Sequence, residues 1–214
     1  MHTWIKICGT TCLEDALESV EAGADALGFI FASSKRHVSP EQAQRIIRDL
    51  PRGVERIGVF MNSSAAEIAS IASAVDLSGI QMHGQESAAE VYDRLPANRR
   101  DSMRKIKTVL VEPGFELRLD SGLDSTGPVD AWLLDSGAGS GKAFDWQATR
   151  KQMGDRQQRI IIAGGLTPEK VEEAVRTFTP WGVDVVTGVE REPGRKDPEK
   201  LKAFVAAVRR AEQT

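Results

Sequence analysis

The sequence predicts an α/β fold, a single (β/α)8 or TIM barrel. Three observations carry that expectation. Eight short apolar runs each give way to a Gly- or Ser-containing turn and then to a helical pattern, the alternation that produces parallel strands. The length of 214 residues suits eight compact strand–helix units. No long linker or low-complexity stretch divides residues 1–214, so one domain is expected. An open doubly wound sheet also alternates strands and helices, but usually stops at five or six strands, so the count favours closure.

The first strand is expected over Trp4–Cys8, followed by a helix from Leu13 to Ala22 that stops at Gly23. Ala26–Phe31 is the second strand, and its helix begins after Ser39-Pro40, where Ser caps and Pro fits the first helical position. The third strand, Arg56–Phe60, leads through Asn62-Ser63-Ser64 into an Ala- and Ile-rich helix. Leu77–Met82 is the fourth, with a helix over Ser87–Leu95. Lys105–Val111 is the fifth, but Glu112–Pro128 is so rich in Gly, Ser, Asp and Pro that its helix is expected to be short or irregular. Strands six, seven and eight are expected over Ala131–Asp135, Arg159–Ala163 and Gly182–Thr187. Their helices are expected over Trp146–Met153, Pro168–Thr177 and Pro198–Arg210.

A chain that is 41% hydrophobic and 28% charged has the composition of a soluble globular protein with a sizeable core. The net charge of −3 is spread without a basic stripe, which argues against a nucleic-acid partner. No apolar run is long enough to span a bilayer, and Met1–Lys6 lacks the regions of a signal peptide. No membrane association is expected, and the expected location is cytoplasmic. Cys8 and Cys12 are the two cysteines. There is no second cysteine pair, and His2, His37 and His83 are dispersed, so no metal site is expected. Neither a dinucleotide fingerprint nor a nucleotide P-loop is present, and no cofactor is expected.

In barrels of this kind the active site lies at the C-terminal ends of the strands. That rim is where the chemistry-bearing residues fall. Cys8 ends strand one, Arg36 follows strand two, His83 follows strand four, Asp135 ends strand six, Gly164-Gly165 follows strand seven and Thr187-Gly188 follows strand eight. Singly, several have plainer readings: a Cys in an apolar strand is most often core, an Asp at a strand end a turn former, and His83 before Gly84 a loop residue. The glycine pair carries more. Ala163-Gly164-Gly165-Leu166-Thr167-Pro168 exposes backbone amides before a helix, with Thr187-Gly188 alongside, at the usual phosphate site after strands seven and eight. Phosphate binding by Gly164, Gly165, Thr187 and Gly188 is therefore expected, with Gly164 allowing close backbone approach.

Taken in order, these segments resemble the phosphoribosylanthranilate isomerase family over essentially the whole length. The resemblance rests on Lys6-Ile7-Cys8-Gly9, Gly23-Ala24-Asp25-Ala26-Leu27-Gly28-Phe29, Ser34-Lys35-Arg36-His37-Val38-Ser39-Pro40 and Gly58-Val59-Phe60. It continues through Gln81-Met82-His83-Gly84, Leu133-Leu134-Asp135, Gly139 to Trp146, Ala163-Gly164-Gly165-Leu166 and Gly182-Val183-Asp184-Val185. It ends with Gly188-Val189-Glu190, Pro193-Gly194 and Lys196-Asp197. Val186-Thr187 departs from the family's usual pair of serines, Met82 from a common Leu and Gln85 from an acidic residue. Thr187 keeps a hydroxyl beside the phosphate site.

The resemblance implies an Amadori rearrangement of N-(5′-phosphoribosyl)anthranilate in tryptophan biosynthesis, acting on a small phosphorylated substrate as a monomer or homodimer. Asp135 is then the general acid at the ribose ring oxygen and Cys8 the general base at C2′. Arg36 is expected to meet the anthranilate carboxylate, with His83 and Asp184 as further substrate-contacting residues. Each catalytic role needs a shifted pKa, because a free Asp titrates near ~3.9 and a free Cys near ~8.5. Burial is expected to raise the Asp. Lys6, two residues from Cys8 and on the same strand face, is expected to lower the Cys or else to pair with Asp184. Cys12 is expected to pack under the first helix without a catalytic role. Two rivals remain: a bifunctional phosphosugar isomerase that also serves histidine biosynthesis, and a non-catalytic barrel that binds a phosphorylated ligand.

Overall fold

A computed structural model describes residues 2–111, 129–137, 146–153 and 159–213. Eight parallel strands close into a barrel in sequence order: β1 (Trp4–Cys8), β2 (Ala26–Ile30), β3 (Glu55–Phe60), β4 (Gly79–Met82), β5 (Arg104–Leu110), β6 (Ala131–Asp135), β7 (Ile160–Ile162) and β8 (Gly182–Val185). Closure is made by β8 beside β1, with Lys6 paired to Asp184 in register. The helices between strands are α1 (Leu13–Ala22), α2 (Pro40–Arg48), α3 (Ala65–Ala74), α4 (Ala88–Arg94), a short α5 (Ala97–Arg100), α6 (Trp146–Met153), α7 (Val171–Phe178) and α8 (Pro198–Ala211). No helix among the described residues is long and apolar enough to cross a membrane.

The helix ends follow the expected chemistry. Ser39, Ser64 and Ser87 accept the amide hydrogens of Gln42, Glu67 and Glu90, and Asp197 accepts those of Glu199 and Lys200 ahead of Pro198. Gly23 ends α1 in the left-handed region at φ 106°, and its amide and that of Ala24 donate to the carbonyls of Val20 and Ser19.

Strand alternation sorts the apolar residues into two cores. Outward-facing Ile5, Ile7, Leu27, Phe29, Ile80, Leu134, Ile162 and Val183 meet the helices, whereas Trp4, Ala26, Ile57, Ile106, Ala131, Leu133, Ile161 and Ala163 fill the barrel. At the N-terminal end of the barrel Trp4 stacks on Trp181 at 5.0 Å, Arg104 lies over both rings, and Glu55 holds Arg104 and the Trp4 indole N–H. That layered plug leaves the opposite end for function.

Several boundaries differ from the sequence expectation. β4 begins at Gly79 and not Leu77, because Leu77 turns fully into the helix layer. β8 stops at Val185: Val186 leaves the extended region with ψ −81°, and Thr187–Val189 form one turn of 3-10 helix. α7 starts at Val171, after a turn over residues 168–170. α5 and a two-stranded hairpin, β9 (Glu190–Glu192) with β10 (Arg195–Lys196), are additions that periodicity does not reveal. The expectation for Glu112–Pro128, and the segment 139–145 quoted in the resemblance, lie outside the described residues.

Candidate active site

Inward-facing positions at the ends of β1 and β6 place Cys8 and Asp135 at the same rim of the barrel. Cys8 is 3% exposed, and its sulfur occupies the space that Gly28, its register partner on β2, leaves by having no side chain. One layer below, the fully buried Lys6 ammonium donates to Asp184 Oδ1 at 2.9 Å. The pairing foreseen as an alternative for Lys6 is therefore present. Asp184 Oδ2 has no hydrogen-bond partner among the described residues.

Electrostatics at the two proton-transfer candidates differ in an instructive way. Burial pushes the Asp135 carboxyl up from its ordinary value, helped by the nearby Asp184 charge. Three groups pull the other way: His83, the Gly137 amide that donates to Oδ1 at 3.0 Å, and Lys6. The raised Asp135 agrees with the expectation from sequence. For Cys8 the expected lowering is reversed: burial pushes the thiol up, and Asp184 adds to it, outweighing the pull of Lys6 and Lys196. Lys6 does act on Cys8 with the expected sign, but its own charge is largely answered by Asp184.

Arg36, in the loop after β2, lays its stem across Gly9, whose missing Cβ would stand 2.9 Å from Arg36 Cδ. One edge of its guanidinium is already engaged: Nε donates to Glu190 at 2.8 and 3.1 Å and Nη2 donates at 2.6 Å. Nη1 makes no hydrogen bond among the described residues. Glu190 in turn is 7% exposed and accepts from the Gly194 amide at 3.2 Å and from Lys196 Nζ at 3.3 Å. Lys196 Nζ also donates to the Cys8 carbonyl at 2.6 Å. The hairpin is thus tied to β1 and, through Arg36, to the loop after β2. Glu190 and Lys196 match the family pattern, but residue type and spacing alone assign them no role. The turn signal Pro193-Gly194 between two charged triplets was the available clue.

His83 follows β4 and is half-buried, its amide donating to the Phe60 carbonyl at 2.8 Å. The loop after it is held by Lys107, which donates to the carbonyls of Gly84 and Glu86 at 2.8 Å each. At the other side of the rim, Gly164 and Gly165 both have positive φ, 83° and 66°. A Cβ on Gly164 would run into Ser136 and Asp135, so the close approach this glycine permits is to the loop that follows β6. A Cβ on Gly165 would meet no described residue within 4 Å. Gly188 packs against the Leu166 carbonyl so tightly that a Cβ is excluded, which joins the two glycine loops. The amides of Gly164, Gly165 and Thr187 donate to no other described residue. Backbone amides without a described partner on adjoining loops are the kind of feature that can receive an anion.

Cys12 lies at the N-cap of α1, half-buried, and not underneath that helix. It forms a cluster with Glu14 and Asp15 whose ligand atoms fall within 4.8 Å of one another. Arg195 and the Lys196 amide already occupy those carboxylates, at 2.8 Å from Glu14 and 2.8 Å from Asp15 respectively.

Fold and rim together define a (β/α)8 barrel that gathers titratable side chains and free backbone positions at the C-terminal mouth. A family model described as N-(5′phosphoribosyl)anthranilate (PRA) isomerase matches residues 5–207. An N-(5′-phosphoribosyl)anthranilate isomerase of Trichlorobacter lovleyi is 39% identical over 208 residues, covering 97% of this chain and 98% of that protein. The crystal structure of the Thermotoga maritima isomerase superposes with a TM-score of 0.85 at 39% identity, covering 97% of this chain and 99% of the other. A phosphoribosyl anthranilate isomerase in complex with reduced 1-(o-carboxyphenylamino)-1-deoxyribulose 5-phosphate superposes at 0.80 and 37% identity, with the same coverage. The chain belongs to the PRA isomerase family, and so is an isomerase of tryptophan biosynthesis.

Proposed function

We propose that the chain converts N-(5′-phosphoribosyl)anthranilate to 1-(2-carboxyphenylamino)-1-deoxyribulose 5-phosphate with Asp135 as general acid and Cys8 as general base. Asp135 donates a proton to the ribose ring oxygen, the C1′–O bond breaks, and the nitrogen lone pair forms the Schiff base. The Cys8 thiolate then takes the C2′ proton, and the C–H electrons flow toward the iminium nitrogen to give an enolamine. Protonation at C1′ and loss of the enol proton yield the ketone. Substrate and product are isomers, so no outside oxidant or reductant enters.

The observation that carries this reading is the pairing of a half-buried, raised carboxyl and a buried thiol at one rim, both facing the Lys6–Asp184 ion pair. A barrel that only bound a phosphorylated ligand would need neither. Arg36 offers its free edge to the anthranilate carboxylate, His83 and Asp184 Oδ2 face the sugar, and the amides around Gly164, Gly165, Thr187 and Gly188 receive the phosphate. With Cys8 in place of a second catalytic aspartate, activity on the histidine-pathway substrate is expected to be absent. The site of action is the cytoplasm, and the assembly a monomer or homodimer.

A fluorescence assay following loss of freshly made phosphoribosylanthranilate tests the assignment. Turnover should collapse in both Cys8→Ser and Asp135→Asn, whereas Cys12→Ser should keep kcat. Full activity in either catalytic variant overturns its role.

A further inference from the structure

The Arg36 guanidinium can recognise a carboxylate only if its planar fork is aimed, and a long flexible side chain is not aimed by its own backbone. Arginine loses less entropy per hydrogen bond when its fork is already held. Here the holding is done by Glu190, which grips Nε and Nη2 with both oxygens and leaves Nη1 without a partner among the described residues. Glu190 is itself fixed from behind. Its Oε1 accepts from the Gly194 amide and from Lys196, and its carbonyl accepts from Lys200 Nζ at 2.8 Å. Although burial alone would push the Glu190 carboxyl up, Arg36, Lys196 and the Gly194 amide hold it below the ordinary carboxylate value, so it stays charged.

We propose that Glu190 is a positioning residue for substrate selection: anchored by Lys196 and the β9–β10 turn, it holds Arg36 in the one orientation that presents a free edge to an aromatic carboxylate at the barrel mouth. The inference rests on the assignment of Arg36 to the anthranilate carboxylate. It adds that selection for a carboxylated amine depends on a residue that never touches the substrate. Gly9 completes the clamp by letting the Arg36 stem lie flat on β1's exit.

The test compares wild type, Glu190→Gln, Arg36→Met and the double variant on two substrates: phosphoribosylanthranilate, and phosphoribosylaniline, which lacks the carboxylate. Removing a charge-assisted anchor should raise KM for the anthranilate substrate about tenfold in Glu190→Gln, with kcat within about twofold. Turnover of the aniline substrate should be unchanged by Glu190→Gln, and the double variant should resemble Arg36→Met alone. Equal losses on both substrates, or additive losses in the double variant, overturn the proposal and make Glu190 a fold residue. If Arg36→Met leaves KM for the anthranilate substrate unchanged, the Arg36 assignment fails, and the Glu190 proposal with it, while the Cys8–Asp135 chemistry stands. Should Glu190→Gln fold poorly, Glu190→Asp keeps the charge but shortens the reach, and its KM for the two substrates is read in the same way.

Discussion

Cys8 and Gly28 face each other across the β1–β2 ladder, and a Cβ built on Gly28 would lie 2.6 Å from the Cys8 sulfur and 3.0 Å from its Cβ. The thiol's position is therefore set by an absent side chain on the neighbouring strand. Gly28→Ala should displace the sulfur without touching the phosphate or carboxylate ends of the site. Because a misplacement of about 1 Å can cost ~100-fold in rate, kcat should fall by about 10- to 100-fold while KM stays near that of wild type. An unchanged kcat in a folded Gly28→Ala protein would show that the sulfur does not need this place.

The pKa shifts at Asp135 and Cys8 set the shape of the pH–rate profile. With the proposed roles, the reactive form has Asp135 protonated and Cys8 ionised, yet both groups are shifted upward, the thiol from 9.0 and the carboxyl from 3.8. The reactive form is then a constant minority between the two values. Below the Asp135 value it shrinks because Cys8 is further protonated, and above the Cys8 value it shrinks because Asp135 is further ionised. The profile of kcat/KM should have an acid limb above the ordinary carboxylate value of 3.8 and an alkaline limb above the ordinary thiol value of 9.0. An alkaline limb well below the ordinary thiol value would mean that Lys6 and Lys196 outweigh burial.

The barrel was legible because its apolar runs are short, separated by turn chemistry and eight in number, and because Ser39, Ser64, Ser87 and Asp197 mark helix starts by residue type alone. Rim residues were legible too, since each ends or follows a strand. Burial was not. Whether Lys6 lowers the thiol or desolvation raises it depends on how closely Asp184 answers the ammonium, a distance across the seam between the first and last strands. The Glu190–Lys196 hairpin stayed hidden for a related reason: its charged residues lack any periodicity, and their partners Arg36 and Cys8 lie more than 150 positions earlier.

Lys6 and Asp184 make a separate prediction about stability. The pair is buried on both sides, and removing one partner leaves an uncompensated charge inside the barrel. Lys6→Met should destabilise by about 3–5 kcal/mol, whereas Lys6→Met with Asp184→Leu should recover much of the loss. Urea unfolding monitored by Trp fluorescence measures both, Trp4 and Trp181 being stacked at the barrel floor. A double variant less stable than the single one would show that the pair, and not only its balance, holds the seam.

The two glycine loops separate backbone duty from anion binding. Gly188 has the Leu166 carbonyl where a methyl group would go, so Gly188→Ala should act mainly on stability by prying the loops after β7 and β8 apart. Gly165 has room for a methyl group but a φ of 66°, so Gly165→Ala should cost only the ~1–2 kcal/mol of a left-handed residue in stability. If its open face is where the phosphate sits, the added methyl group competes with the ligand. The KM of the phosphorylated substrate and the inhibition constant of inorganic phosphate should then rise together, by about tenfold, with kcat little changed. A Gly165→Ala protein with the expected loss of Tm but wild-type KM and phosphate inhibition would place the phosphate elsewhere on the rim.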